Sequence, residues 1–486
     1  MRRTLLLLCL CSAGCAGLAQ SNSEPESPQR LVRLNVAAIA ANGDPVTDLQ
    51  MADVQVREGG KPVPIAFFRF DGSSRGRRAE PFQSPVEFTN FTNQPGPAPL
   101  VILLDRWNER MLTAARASNS LSTALEHIES VDRIYIYFLT NHGELLPVRA
   151  IPHHGADERQ VPELSPQELR AKLDQVARSQ QGFRDIDAID PLLSATKTFQ
   201  AVSSLCTDLA AIAGRKNLIW VTRGMPLTAI LPQSRGRADF TPQIRNLSAA
   251  AVQSQIAIYT VDESSVGNVA SLARQTLQMF SSLTGGRWYP SDDAAHAIAD
   301  SLADARGNYR VAYYSAIHDK DRKEHKIQLE SARKGVHLLS YEGYAGDAPG
   351  LDPKAVQDAL FNGARSSPFD ATEIGLRVSM SRNPPAGMVH FEIRLDPADI
   401  LMERQGERYQ GDLGVMCALY GEGQASQTSP PLHVQIHLTQ EELNQAAKDG
   451  IVIPQDVPVA GQTQSVRVMV FDRKLWGLGS VTVPLR

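Results

Sequence analysis

Short apolar runs alternate with helical segments in the middle of the chain. Four of these runs are LVILLD, RIYIYFLT, KNLIWVT and QIAIYTVD, and the text between them mostly has the 3.6-residue apolar period of a helix. Strands that follow one another through helical crossovers lie parallel, and a parallel sheet is buried by helices on both faces. The sequence therefore predicts an α/β fold with a doubly wound, mostly parallel sheet over residues 98–306.

The flanking regions have the period of two that is typical of half-buried strands. Residues 28–72 form one β unit, which we expect residues 307–344 to complete, and residues 351–486 carry short strands between turns, as in a β-sandwich. Residues 73–97 are rich in Ser, Arg, Pro and Gly and lack periodicity, which favours a linker. The expected architecture is the α/β sheet flanked by β-sandwich-like units.

Residues 1–20 have the layout of a secretory signal peptide, with two arginines, an apolar stretch and small residues. Two processing routes stay open. SAGC ending at Cys15 resembles a lipoprotein box, with an atypical Ser12 at its first position, whereas GLA before Gln20 suits ordinary cleavage. No other run approaches the ~18 apolar residues of a membrane-spanning helix. We expect an exported protein, periplasmic, extracellular or lipid-anchored at the outer membrane through Cys15, with no transmembrane domain.

The overall charge and the cysteines narrow the class of partner. A net charge of −4 gives no cationic field that would attract nucleic acid, so no nucleic-acid partner is expected. Three of the five cysteines lie in the leader. The other two, Cys206 and Cys417, have apolar neighbours and are interpreted as buried small side chains rather than as a disulfide or a catalytic thiol.

Several segments between residues 31 and 344 resemble, in their order and spacing, the von Willebrand factor type A domain, and more closely the secreted VWFA-related proteins of Acidobacteria. The resemblance implies a type A domain over residues 98–306 that binds proteins at the carboxyl edge of its sheet. The segments that carry it are VRLNVAAIAANGDPVTDLQMADVQVREGGKPVPIAFF, LVILLD, VDRIYIYFLT, AGRKNLIWVTRGMP, IAIYTVDE, LTGGRWYPSDD and NYRVAYYSAIHDKDRKEHKIQL.

Type A domains commonly hold a divalent cation with three elements. These are Asp-x-Ser-x-Ser after the first strand, a Thr from a later loop and an Asp after the fourth strand. Here the first motif reads Asp105, Trp107 and Glu109, the later loop reads GFRDIDAID, and Arg223 stands where the last Asp is expected, directly after Thr222. The positive charge of the Arg223 side chain opposes metal binding at this position, and the side chain could pair with Asp105 instead.

The resemblance therefore implies a degenerate metal-ion-dependent adhesion site with no cofactor, Mg²⁺ included. Asp105, Glu109 and Asp185 leave an unusual cation site open, and Asp105 could alternatively cap the following helix. Trp107 is interpreted either as an exposed interface anchor or as packed under a neighbouring loop. The candidate binding residues are Asp105, Trp107, Asn108, Glu109, Asp185, Thr222 and Arg223.

The function expected is protein–protein binding or scaffolding at the cell envelope, without enzymatic activity; the sequence does not identify the partner. One alternative is a periplasmic hydrolase with a site on the C-terminal sandwich or near His153. The sequence contains no Gly-x-Ser-x-Gly elbow, phosphate-binding loop or His-Glu-x-x-His motif that would support it. A second alternative is a purely structural envelope protein in which residues 73–97 cover the carboxyl edge of the α/β sheet.

Overall fold

The computed structural model has a mixed α/β architecture. The leader and the residues Glu109, His153 and Asp185 lie outside the part of the chain that it describes, so the predictions for them stay predictions. The described residues are 30–71, 87–90, 98–108, 133–151, 165–179, 191–225, 227–230, 236–262, 270–290, 294–315, 323–345, 352–367, 369–381, 387–421 and 427–485.

Strands make up most of the regular structure. In chain order they are β1 (Leu31–Ala40), β2 (Val54–Glu58), β3 (Lys61–Val63), β4 (Ile65–Phe70), β5 (Glu87–Thr89), β6 (Leu100–Asp105), β7 (Ile134–Leu139), β8 (Leu145–Arg149), β9 (Lys216–Thr222), β10 (Thr228–Ile230), β11 (Arg237–Asp239), β12 (Ile256–Asp262), β13 (Trp288–Pro290), β14 (Asn308–Tyr314), β15 (Glu324–Ser331), β16 (Val336–Leu339), β17 (Gly343–Ala345), β18 (Leu376–Met380), β19 (Met388–Leu395), β20 (Glu403–Gln405), β21 (Arg408–Gly421), β22 (Gln427–Thr428), β23 (Leu432–Thr439), β24 (Ile451–Pro458), β25 (Thr463–Asp472) and β26 (Leu478–Pro484).

Helices cover the central sheet and one face of the C-terminal region. In chain order they are α1 (Pro166–Ser179), α2 (Pro191–Ala210), α3 (Thr241–Gln253), α4 (Ala270–Thr284), α5 (Ala294–Arg306), α6 (Pro353–Ser366) and α7 (Gln440–Asp449), with short 3₁₀ turns at Met51–Asp53 and Pro397–Asp399.

The N-terminal unit consists of two four-stranded sheets, ordered β16-β1-β14-β4 and β17-β15-β2-β3. Strand β1 pairs antiparallel with β14, and β2 pairs antiparallel with β15. These pairings join the chain before the α/β region to the chain after it. Their shared core includes Leu34, Val56, Tyr309 and Ile327, which are buried because alternate side chains of each strand face inward.

The central sheet has the strand order β13-β12-β9-β6-β7-β8, and all neighbours are parallel except the β7–β8 pair. One face packs against α2, α3 and α4, and the other against α1 and α5. The chain moves outward from β6 to β8 and then returns to the opposite side of β6 with β9. In such sheets a crevice opens beyond the carboxyl ends of the strands where the order reverses, here β6 and β9.

Local signals set the ends of several helices. The Ser165 hydroxyl accepts a hydrogen bond from the Glu168 N–H at 3.2 Å, and the Glu168 carboxylate accepts one from the Ser165 N–H at 2.7 Å. Helix α7 begins with the same reciprocal arrangement between Thr439 and Glu442. Helix α7 is an addition to the short strands predicted for residues 351–486, and its Thr-x-x-Glu spacing is the sequence signal that indicates it.

The C-terminal region contains two sheets, β24-β19-β18-β5 and β20-β21-β25-β26, with β22 and β23 added on β21. Apolar side chains from both sheets, such as Phe391, Val415 and Val468, form one core. Helix α6 covers the other face of the second sheet through Phe361, whose ring lies 6.0 Å from that of Phe471. This sandwich-like arrangement follows from the alternation of apolar residues along its strands.

The predicted linker 73–97 requires a correction. Its residues Glu87–Thr89 form β5, which pairs antiparallel with Arg377–Ser379 of β18. Directly after it, the Asn90 side chain donates to the carbonyls of Ala371 and Ile374 at 2.7 and 2.8 Å and accepts from the Leu376 N–H at 2.8 Å. A three-residue strand shows no period of its own, and its partners lie more than 280 positions away, so composition alone suggested a linker.

We expect Asn90→Ala to lower the free energy of unfolding of the C-terminal region by about 2–3 kcal/mol. Asn90 is 3% exposed, so its loss leaves buried backbone groups without hydrogen bonds. Urea denaturation checks this, with the exposed Asn444→Ala in α7 as the matched control. Equal midpoints for Asn90→Ala and the wild type would contradict the role assigned to this side chain.

Candidate functional site

The candidate site lies where the strand order of the central sheet reverses. Every residue of β6 is buried, and its last residue, Asp105, is 0% exposed. Thr222 ends the neighbouring strand β9 and is also buried. Because β6 and β9 run parallel, their carboxyl ends meet at one edge, which brings Asp105 and Thr222 into contact.

Protein donors surround the Asp105 carboxylate. Its Oδ1 accepts from the Asn108 N–H at 3.0 Å, and its Oδ2 accepts from the Asn108 side-chain amide at 2.7 Å. The same Oδ2 accepts from the Thr222 hydroxyl at 2.7 Å and from the Trp220 indole N–H at 3.2 Å. Each carboxylate oxygen offers about two lone-pair positions, so the three donors at Oδ2 fully engage that oxygen, while Oδ1 accepts one hydrogen bond.

A second layer of contacts holds these donors in place. The Asn108 amide also donates to the Thr198 hydroxyl at 2.9 Å, and the Ser194 hydroxyl donates to the Asn108 carbonyl at 2.9 Å. Ser194 and Thr198 are four residues apart on α2 and therefore share one helix face. The Thr222 hydroxyl also accepts from the Gly224 N–H at 2.9 Å. The Asn108 amide and the Thr222 hydroxyl are thus fixed in the orientation that donates to Asp105.

Burial raises the pKa of the Asp105 carboxyl, although the hydrogen bonds from Asn108, Thr222 and Trp220 act in the opposite direction. Its donors are all neutral groups. This donor set does not fit a divalent cation, because N–H groups that point at a carboxylate cannot act as ligands, and hard cations need several oxygen ligands. Within the described residues, no group of three His, Cys, Asp or Glu side chains could hold a metal ion.

The structure brings together three of the residues proposed from the sequence, namely Asp105, Asn108 and Thr222. The hydrogen bond from the Asn108 N–H to Asp105, three residues earlier, has the spacing of the helix cap that the sequence left open. Arg223 follows Thr222 and is partly exposed, and its pairing with Asp105 stays a prediction.

The interpretation of Trp107 as an exposed anchor is wrong. Its side chain is 2% exposed, and its indole N–H donates to the Ser194 carbonyl at 3.2 Å. The alternative, that the indole packs inside the protein, is confirmed. Its ring joins the apolar core between the sheet and α2, because an indole gains more from burial there than from exposure at the edge.

Sequence reasoning missed three members of the site, Trp220, Ser194 and Thr198. Trp220 lies two residues before Thr222 in β9, so both side chains face the same side of the sheet. The spacing of four between Ser194 and Thr198 was also visible in the sequence. The sequence did not show that these two residues hold the side chain that donates to Asp105, because this depends on how α2 packs against the sheet.

No protein-family model matches this chain. No curated protein matches it either. Among solved structures it is similar to the human COPII-coat protein Sec24c, with 12% identity, coverage of 56% of this chain and 51% of that chain, and a TM-score of 0.26.

Two pilus proteins are similar at the same low level. A mutant of the PilB minor pilin from Streptococcus sanguinis has 9% identity, coverage of 47% of this chain and 62% of that chain, and a TM-score of 0.27. The pilus adhesin SpaC from Lactobacillus rhamnosus GG has 9% identity, coverage of 89% and 60%, and a TM-score of 0.29. The chain thus spans 51% to 62% of the length of the three structures, and TM-scores this low carry no argument about function.

None of the helices in the described part of the chain combines the length and the apolar character needed to cross a membrane.

Proposed function

We propose that this protein is an exported cell-envelope protein that binds a protein partner through a type A domain without a metal cofactor. The observation that carries the proposal is the Asp105 carboxylate, which lies where the strand order reverses and accepts four hydrogen bonds from protein donors. The position suits a ligand site, and the donors there make the carboxylate a structural element of the sheet edge.

The strand order supports a doubly wound type A domain over residues 98–306. Five parallel strands, with the antiparallel β8 at one edge and helices on both faces, support this assignment. Fold alone does not define function, because one fold hosts many activities. The choice of a binding role therefore rests on the site, where the described residues around Asp105 offer hydrogen-bond donors rather than cation ligands.

The carboxyl edge of the sheet carries arginine side chains that could contact a partner. Arg223 follows β9, and Arg274, on α4, is 44% exposed and lies 3.6 Å from the carboxylate of Asp262, the last residue of β12. Arginine is enriched at protein interfaces because its planar fork makes several directed hydrogen bonds. Trp107 does not belong to this surface, since it is buried.

The experiment immobilises the mature chain and captures partners from an envelope extract, once with excess EDTA and once with 5 mM Mg²⁺ (roughly the level that saturates weak protein sites). We expect the same partner with equal yield in both conditions, and reduced yield with Arg274→Ala. Capture that requires Mg²⁺ would contradict metal-free binding. No capture in either condition would overturn the binding role and favour the structural alternative.

Calorimetric titration provides a separate prediction about the cation. Mg²⁺, Mn²⁺ and Ca²⁺ are expected to give no binding heat with the wild type, because the oxygens of Asp105 already accept hydrogen bonds from Asn108, Thr222 and Trp220. Asp105→Ala is the matched control. Heat that appears with the wild type and disappears in the control would restore a cation-mediated mechanism.

A further inference from the structure

A cavity of about 280 Å³ lies between the α/β region and the C-terminal region. Helices α2 and α3 form one wall, which includes Cys206 and Leu247. Helix α6 forms another with Val356 and Leu360, and Trp476, from the turn between β25 and β26, completes it. Most of this wall is apolar, and the volume lies near the lower limit of typical small-molecule sites, which span about 300–1,000 Å³.

Among the described residues that line the cavity, Lys216 carries the one charge. It is 1% exposed, and its ammonium donates to the Ile212 carbonyl at 2.6 Å. An ammonium has three donors, so this hydrogen bond uses one of them. Burial lowers the pKa of Lys216 to about 7, although the charge of Glu373 acts in the opposite direction. A buried amine of this kind is stabilised in its charged form by an anion placed beside it.

Trp476 contributes its ring to the same wall. Its indole N–H is buried and has no hydrogen-bond acceptor in the structure. Such groups are rare, since a buried donor without a partner costs about 1–3 kcal/mol. The other face of this residue is occupied, because the guanidinium of Arg33 lies 3.7 Å from the ring centroid.

The backbone is also unusual at this cavity. Across the described residues, the non-glycine residues with positive φ are Gln255, at 58°, and Trp476, at 64°, and both line the cavity. For a residue as bulky as Trp this conformation is strained, and strained residues cluster at ligand sites. The turn that imposes it is held by Asp472, which accepts from the N–H groups of Lys474 and Leu475 at 2.8 Å.

We propose that this cavity binds a small apolar molecule that carries a carboxylate. The carboxylate accepts a hydrogen bond from the Lys216 ammonium, and the hydrocarbon part packs against Leu247, Val356 and Leu360. Such a ligand places a negative charge next to the buried amine, which an apolar molecule of the same size without the acid cannot do. This site is separate from the Asp105 edge of the sheet and does not depend on the binding role proposed there.

The test titrates the full mature chain with octanoate, octanol and octylammonium and follows binding by calorimetry. We expect saturable binding of octanoate, at least tenfold weaker binding of octanol, and no binding of octylammonium. Lys216→Met, which keeps the length of the side chain, is expected to weaken octanoate binding at least tenfold. The control Lys448→Met changes an exposed lysine on α7 and is expected to leave binding unchanged.

Leu360→Trp provides a second variant that fills the cavity without touching the amine. We expect Leu360→Trp to weaken the binding of octanoate and octanol alike. If circular dichroism shows that Lys216→Met does not fold, Leu360→Trp tests whether the ligand occupies this cavity. No binding of octanoate to the wild type, or equal affinity for octanoate and octanol, would overturn the proposal. So would octanoate binding that survives both Lys216→Met and Leu360→Trp.

Discussion

Replacing Asp105 with alanine is expected to lower the free energy of unfolding by about 3 kcal/mol or more. The change removes the acceptor for four hydrogen bonds in a fully buried site and leaves donors of Asn108, Trp220 and Thr222 unsatisfied, at about 1–3 kcal/mol each. Removal of a buried charge offsets part of this loss, since burial disfavours the ionised form. Urea denaturation of the purified chain measures the difference.

Asp105→Asn separates the contribution of the side chain's shape to stability from the contribution of its hydrogen-bond acceptors. It keeps the size but replaces one oxygen with an NH₂ group that faces donors, so we expect a loss of about 1–2 kcal/mol. Asp358→Ala, on the exposed face of α6, is the matched control and is expected to have no measurable effect. The losses should be the same with EDTA and with Mg²⁺. An Asp105→Ala variant as stable as the wild type would contradict the structural role of this carboxylate.

The second large effect is expected from Lys216→Met, as a change in the pH dependence of stability. Burial lowers the pKa of Lys216 from 10.5 to about 7 in the folded protein, with Glu373 acting to raise it and Arg133 to lower it. Between these two values the unfolded chain binds a proton that the folded chain does not. The contribution of Lys216 to stability therefore falls as the pH is lowered from about 10.5 to 7 and is constant below.

Lys216→Met removes this contribution, because methionine has a similar volume and no charge. From pH 10.5 to pH 7 the variant should gain on the order of 4 kcal/mol relative to the wild type, from about 1.4 kcal/mol for each unit of pKa shift. Urea unfolding at several pH values in that range measures the two curves. Lys448→Met should follow the wild type. Parallel curves for Lys216→Met and the wild type would show that the amine remains charged when buried.

Asp105 and Lys216 belong to two different kinds of site in the same chain. At the sheet edge, the acidic group is satisfied by the protein itself, which supports recognition through the surrounding surface without a cation. At the cavity between the regions, the Lys216 ammonium uses one of its three donors, which favours a ligand that brings an acceptor. The cysteine that lines the cavity, Cys206, is a free, buried thiol whose pKa burial raises to about 12, so the proposed ligand contacts an unreactive sulfur there.

The amino-acid sequence by itself determined the features that depend on local pattern. The alternation of apolar runs and helical periods placed strands β6, β7, β9 and β12 of the central sheet but not its edge strand β8, and Asp105 at the end of LVILLD could be recognised as an edge residue. The Ser165 cap was readable in the same way. These features follow from side-chain periodicity and from hydrogen bonds that span only three or four residues.

Only the tertiary structure decided which distant groups meet. It placed Glu87–Thr89 in the C-terminal sandwich, buried Trp107 against Ser194, and supplied Asp105 with donors up to 117 positions away. It also brought Lys216 and Trp476 to one cavity. The physical reason is that these contacts arise from the packing of whole helices and sheets, which minimises exposed apolar surface across the chain and leaves no periodic trace in any single segment.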